Sequence, residues 1–252
     1  MPVAKGEFVL IEYTTKIKET GETFDTTSAE EAKKENIFKE SARYEPMLVV
    51  VGEGWVLKGL DDSLVGLEVD KPSTIEIPPD QAFGPRDPAK IRMVPATRFR
   101  RQEIRPYPGA EIEMDGRPAV VRSVGSGRVQ VDFNPPLAGK TLIYELIVKN
   151  TLTEREDKVK ALTHRRVPSV DIAKFKITLE EKNTTIEVPE DAIYLEGIGA
   201  AKKGLASDIQ RYLPKIEKVV FTEVFLSQKP SPTLSQPEHA QEVASEDTQS
   251  VP

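Results

Sequence analysis

The sequence predicts an α+β protein built from more than one domain. Two observations carry this reading. Apolar and polar residues alternate in Phe8–Tyr13, Thr74–Ile77 and Leu137–Val148, the period of a half-buried strand. Ser28-Ala-Glu-Glu31 and Thr153-Glu-Arg-Glu156 carry the capping-box pattern that opens a helix. A length of 252 residues with 38% hydrophobic content allows two or three cores.

The elements follow in chain order. Phe8–Tyr13 is a strand, Glu19–Glu22 a turn, and a short helix begins at Ser28. Tyr44–Val51 reads as a buried strand. Asp61-Asp62-Ser63 marks the polar side of a short helix, with Leu57, Leu60, Leu64 and Val65 on its apolar side. Between about 85 and 133 the runs shorten. Ala110–Met114, Ala119–Val124 and Arg128–Phe133 alternate, with turns at Asp115-Gly116 and Gly125-Ser-Gly127, which predicts a small all-β unit. From 151 to 226 the pattern predicts an α+β domain. It has a helix from Thr153 to about Arg165, a helical turn in Val170–Phe175 and a hairpin around Lys182-Asn183. A helix over Gly197–Leu213 and a closing strand over Val219–Phe225 complete it. Residues 227–252 are dominated by Pro, Ser, Gln, Thr and Glu and read as a disordered tail.

Composition excludes several classes of function. There is no Cys, so disulfides, thiol catalysis and thiolate metal sites are excluded. The two His residues, His164 and His239, have no ligand partner at metal-binding spacing, so no metal and no cofactor is expected. His164 is read as a helix-end residue that complements the helix dipole. The N-terminus lacks the apolar core of a signal peptide, and no apolar run is long enough to span a bilayer. A cytoplasmic protein without membrane contact is the expectation. The net charge of −6 is uneven. Residues 85–133 hold ten basic against six acidic side chains, whereas the segments flanking them are acidic or balanced.

Tyr13, Phe24-Asp25, Gly52-Glu-Gly-Trp-Val-Leu-Lys-Gly-Leu60, Ala82-Phe-Gly84 and Leu137-Ala-Gly-Lys-Thr-Leu142 occur in this order. Together they resemble the FKBP-type peptidyl-prolyl cis-trans isomerases. The SlyD-like branch, in which the flap before the last strand is replaced by an inserted domain, is the nearer match. The long C-terminal part is similar to that of long archaeal members. The resemblance implies an FKBP-like antiparallel sheet wrapped on a short helix, split into residues 1–84 and 134–150. The insert then occupies 85–133 and the C-terminal domain 151–226.

The resemblance also places a proline pocket. Its walls would be Tyr13, Phe24, Asp25, Met47, Val56, Leu57, Leu60, Phe83 and Tyr144. Met47 stands where many members carry an aromatic residue, and Leu60 where minimal members carry a Trp. Taken singly these side chains are ordinary core or turn residues; the linked pattern is what marks a pocket. Rotation about an X-Pro bond breaks no covalent bond, and its barrier of roughly 18–20 kcal/mol is lost amide resonance. A twisted amide is less polar than a planar one, so a dry pocket favours the transition state. Asp25 is expected to accept a hydrogen bond from Tyr13, and the Leu57 backbone N–H to hold a substrate carbonyl.

In SlyD-like proteins the insert binds unfolded chains. By that resemblance the candidates here are Met93, Val94, Phe99, Ile104, Met114, Val120 and Val129, with Met93 and Phe99 expected to be the most exposed. Tethered substrate would meet the pocket at a raised effective concentration. The implied partners are unfolded or proline-containing polypeptides and a second copy of the chain held through the C-terminal domain. Two alternatives remain open from the residues. One is a holdase without isomerase activity. The other is RNA binding by Arg98, Arg100, Arg101 and Arg105 interleaved with Phe99 and Tyr107.

Overall fold

A computed structural model describes residues 2–225. The alternation first seen at Phe8 continues to Ile17, and this ten-residue strand, β1 (Phe8–Ile17), is the spine of the largest sheet. Its neighbours are β2 (Thr23–Thr26), β3 (Met47–Val50), β4 (Pro72–Ile77) and β9 (Leu142–Leu152). β9 runs antiparallel to β1 along its whole length, from Phe8 opposite Leu152 to Ile17 opposite Leu142. β4 lies beyond β9. The other edge of β1 is shared: β3 pairs with Phe8–Ile11 and β2 with Thr14–Lys16.

The period of two sorts β1 between two cores. Val9, Ile11 and Tyr13 face one side, where Leu142, Tyr144, Leu146 and Val148 of β9 join them. Leu60 and Leu64 of α2 (Lys58–Leu64) close this core. The approach is close: a Cβ on Gly59 would lie 2.5 Å from Ile77 Cγ2 and 3.1 Å from Gln81 Cβ, so only Gly fits there. Phe8 faces the opposite side, in a second core with Leu48, Val50 and Leu152.

That second core is completed by residues 151–225. Here α4 (Arg155–Arg166) and α6 (Ile198–Tyr212) pack on a sheet of β10 (Lys176–Leu179), β11 (Asn183–Val188) and β12 (Lys218–Glu223). α5 (Glu190–Ile193) follows β11. β10 and β11 form the expected hairpin, whereas β12 runs parallel to β11 after the α5–α6 crossover. Val159 and Leu162 of α4, Ile186 and Val188 of β11, and Leu205 and Ile209 of α6 meet Phe8, Leu48, Val50 and Leu152. The first sheet is therefore covered on both faces, and a core crosses the chain position near 150.

Residues 91–132 form a separate sheet of β5 (Ile91–Pro95), β8 (Arg128–Asp132), β7 (Arg117–Val124) and β6 (Glu111–Met114), all antiparallel, with one short helix, α3 (Ala96–Arg101). Its base is pinned at Asp132, which is 2% exposed. The Asp132 carboxylate accepts from Arg122 Nε at 3.0 Å and from the Asn134 backbone and side-chain N–H groups at 2.9 and 2.8 Å, and it pairs with Arg86. Both chain connections to the first sheet thus meet at one buried carboxylate.

Local expectations hold where a side chain has a defined partner. Ser28 caps α1 (Ala29–Lys34) by accepting from Glu31 N at 3.3 Å. Three details differ. α4 begins after Glu154 and lacks the Thr153 cap. The strand expected from Tyr44 begins only at Met47, because Pro46 has no N–H for a ladder and Tyr44 stacks on Phe38 at 5.1 Å. Asp61 is not on a polar face: it is 5% exposed and accepts from Gly52 N at 2.7 Å and Gly54 N at 2.8 Å, tying down the loop before α2. The tail expected at 227–252 lies outside the described residues.

Candidate functional site

The hydrophobic residues around α2 and the two long strands bring most of the expected pocket together. Tyr13, Leu60 and Tyr144 are buried at 8%, 1% and 7% exposure, and Phe24, Val56 and Leu57 pack half-buried against them. β1 and β9 place Tyr13 and Tyr144 with ring centroids 5.5 Å apart. β2 carries Phe24 and Asp25 antiparallel to the end of β1. The loop Gly52–Leu57, held by Asp61, delivers Val56 and Leu57 to the start of α2. Tyr13 Oη donates to Asp25 Oδ2 at 2.8 Å, the expected hydrogen bond.

That bond shapes the electrostatics. Burial, and then the adjacent Asp25 carboxylate, push the Tyr13 hydroxyl far above its ordinary value; burial is also the largest cause of the rise at Tyr144. Both phenols stay neutral over the physiological range. Deprotonation of the folded state is thus harder than of the unfolded state. The stability this contributes is complete below the unfolded value near 10.0 and is lost as pH rises above it. Tyr13→Phe removes one of the two groups. Its unfolding free energy should fall less steeply than that of wild type between about pH 10 and 12, as read by denaturant titration at each pH.

Two expected residues sit less deeply. Met47, at the start of β3, is 37% exposed. Phe83 is 40% exposed, in a tight turn that Gly84 N closes onto Pro79 O at 2.7 Å, and it is outside the cluster. Phe83 therefore stands at the edge of the cluster, partly exposed.

The insert requires a larger correction. Val94, Phe99, Met114 and Val129 are 7%, 1%, 1% and 0% exposed and form the core of the insert itself. A sheet of four short strands has few apolar side chains, and these are needed to close it. Phe99, expected on the surface, lies on the buried side of α3. Ile104 and Val120 are half-buried, and Met93 is 53% exposed. The same burial removes Phe99 as a stacking platform for RNA, and Arg98 pairs with Asp115.

A feature not read from the sequence adjoins the pocket. A cleft of about 900 Å³ opens beside Tyr13 and Asp25 and runs between the first sheet and α4. Trp55 stands on its wall, donating from Nε1 to Tyr212 Oη at 3.0 Å, with the Arg165 guanidinium 3.9 Å from its ring centroid. His164 Nε2 meets Glu45 Oε1 at 2.8 Å across the cleft, so His164 is a tertiary contact and not only a helix-end residue. The signal for this was the α4 stripe Asp157, Lys160, Ala161, His164 and Arg165, which is on one helical face and polar enough to read as solvated.

Comparison with known proteins decides the family. The profile of the FKBP-type peptidyl-prolyl cis-trans isomerases matches residues 1–99, that of the FKBP26 IF domain residues 92–137, and that of the FKBP26 C-terminal region residues 155–226. A short-type peptidyl-prolyl cis-trans isomerase of Methanocaldococcus jannaschii is 32% identical over 148 residues, covering 59% of this chain and 93% of that protein. This chain belongs to the FKBP-type peptidyl-prolyl cis-trans isomerase family. An FKBP-type 16 kDa isomerase of Escherichia coli strain K12 is 30% identical over 155 residues, 58% of this chain and 91% of that protein. The SlyD isomerase of Aeromonas hydrophila is 31% identical over 152 residues, 60% of this chain and 65% of that protein. In this isomerase no helix among the described residues is long and apolar enough to cross a membrane.

Proposed function

We propose that this isomerase rotates X-Pro bonds at the Tyr13–Tyr144 pocket and that its insert holds unfolded polypeptides for it. The observation that carries the pocket reading is the Tyr13–Asp25 hydrogen bond inside an apolar cluster. It fixes one ring at the mouth of a site lined by Phe24, Val56, Leu57, Leu60 and Tyr144. No general acid, base or metal is called for, because the reaction transfers no proton. The pocket would grip the pyrrolidine ring between aromatic and branched walls. The backbone N–H of Leu57 would receive a carbonyl, and exclusion of water would favour the twisted amide. Met47 would stand at the mouth, where its flexible thioether tolerates varied neighbours.

For the insert, exposed Met93 is the favoured contact, flanked by half-buried Ile104 and Val120. Basic side chains around these residues would keep the surface soluble while apolar atoms take client side chains. The test is refolding of a protein whose slow phase is limited by proline isomerisation. Wild type at catalytic concentration should accelerate that phase. A variant with residues 86–133 replaced by a Gly-Ser linker should keep its activity on a short peptide and lose at least about tenfold on the protein substrate. Suppression of aggregation without any change in the slow phase would instead identify a holdase.

Self-association through residues 151–225 belongs to the same reading. Tyr194, Val224 and Phe225 are 74%, 49% and 66% exposed, and β12 ends its sheet. Sedimentation velocity of the full chain should give a dimer at micromolar concentration; a monomer there removes the idea.

A further inference from the structure

The cleft beside the pocket is large for what isomerisation alone requires. Its volume of about 900 Å³ is near the upper end of small-molecule sites, roughly 300–1,000 Å³, whereas the reacting group is a single pyrrolidine ring. Its floor is apolar: Leu10, Met47 and Leu48 come from the first sheet, and Ala161 and Ile172 from the C-terminal unit. Interiors of folded proteins close such gaps to near-crystalline density, so an open gap between two packed units needs a brace. Two braces are present. His164 and Glu45 span the cleft from α4 to the loop before β3. Trp55 is held between Arg165 and Tyr212 on its other side. Below these, Phe8 and Val50 are covered by the C-terminal unit, so the walls separate only at the cleft.

Continuity with the pocket names the occupant. Tyr13 and Asp25 line the cleft and also stand in the proline site, so the residues flanking a proline held against Tyr13, each about 3.8 Å from it along the chain, pass the rim of the cleft. We propose that the cleft is a second substrate subsite, which takes a large apolar side chain of the polypeptide flanking the isomerised proline. This rests on the isomerase reading above and extends it to the C-terminal unit, whose α4 becomes a wall of the substrate channel. The channel is preorganised by the two braces, so occupancy needs no rearrangement of the sheet. Charged groups at the rim are of both signs, Arg43, Lys160 and Arg165 against Glu45 and Asp157, so selection is by apolar size and not by net charge.

The test compares three peptides on the full-length protein: a tetrapeptide Ala-Leu-Pro-Phe, the same core extended on both sides by Leu- and Phe-containing segments, and the core extended by Ser and Gly. Wild type should show a KM about tenfold lower for the apolar extension than for the Ser-Gly extension. Ala161→Arg, which fills the cleft from α4, should abolish that difference and leave kcat/KM on the tetrapeptide within about twofold. Equal KM for the two extended peptides in wild type would overturn the subsite while leaving the isomerase intact. Absence of activity on the tetrapeptide itself would instead overturn the isomerase reading and the subsite with it. Because the chain has 1 Trp, Trp55 reports occupancy directly. Its emission should shift on titration with the apolar peptide in wild type and not in Ala161→Arg, and no shift in wild type rejects the subsite.

Discussion

Tyr13→Ala is expected to lower kcat/KM for X-Pro isomerisation of a short peptide by about 30-fold or more, roughly 2–3 kcal/mol of transition-state stabilisation. Three consequences act together. The ring is lost from its packing against Tyr144, where the centroids lie 5.5 Å apart. Asp25 loses its 2.8 Å donor and becomes an unpaired carboxylate beside the substrate. Water enters the space, and a wetter pocket favours the planar, more polar amide. Tyr13→Phe keeps the ring and the dryness and removes only the hydroxyl, so it should stay within about fivefold of wild type. Tyr13 is itself 8% exposed, so the alanine variant is also destabilised by about 3–5 kcal/mol. Activity is therefore compared at a temperature where circular dichroism shows both variants folded. Equal activity of the alanine variant and wild type there would remove Tyr13 from the site.

Truncation after residue 152 should leave a chain that is barely stable and self-associates. Residues 1–152 contain every strand of the first sheet, and no local pattern in them signals dependence on the C-terminal unit. The packing shows that dependence. Phe8, Leu48, Val50 and Leu152 are each 9% exposed or less and share one core with C-terminal residues, although Leu48 and Leu152 also border the cleft. At about 1.5–3 kcal/mol per large side chain, uncovering four of them costs on the order of 6–12 kcal/mol. A typical domain has only about 5–15 kcal/mol in total. The Trp55–Tyr212 hydrogen bond and the Arg166–Asp208 pair, which stiffens the C-terminal helices, are lost as well. Denaturant unfolding should show a midpoint well below that of the full chain, and light scattering should rise with concentration. Phe8→Ser with Val50→Thr in the truncated chain should reduce the scattering, since the exposed patch is its cause. A truncated chain as stable and as monodisperse as the full protein would show that the shared core contributes nothing.

How much was legible depended on whether the signal was local. The strand at Phe8–Tyr13 and the Ser28 cap depend on residues adjacent in sequence, and both were readable. The Tyr13–Asp25 bond was anticipated from resemblance, and the register of β1 with β2 places the two side chains within reach. Phe99 was misread because it lies in the less regular part of the insert, where no alternation marks a buried face, whereas α3 turns Phe99 inward and Arg98, Arg100 and Arg101 outward. Asp61 was misread because a carboxylate on a short helix is normally solvated. Here two loop N–H groups need an acceptor, and burial follows from that need.

The amino-acid pattern alone indicated strands with few helices and a basic segment over 85–133; that this segment is an insert and that Tyr13 to Tyr144 contribute to an apolar pocket came from the family resemblance. Periodicity, caps and turn residues act over a few positions, and the chain carries them wherever it folds. Tertiary structure alone decided which apolar face meets which. It laid the C-terminal unit on the outer face of the first sheet, confined four insert residues to their own core, and opened a braced cleft where the two units fail to close. The insert core closes within residues 91–132, but the docking of the C-terminal unit and the cleft depend on contacts between residues more than a hundred positions apart, such as Trp55 with Tyr212 and Glu45 with His164. No local pattern encodes such pairs, because each partner taken alone is an ordinary loop or helix residue.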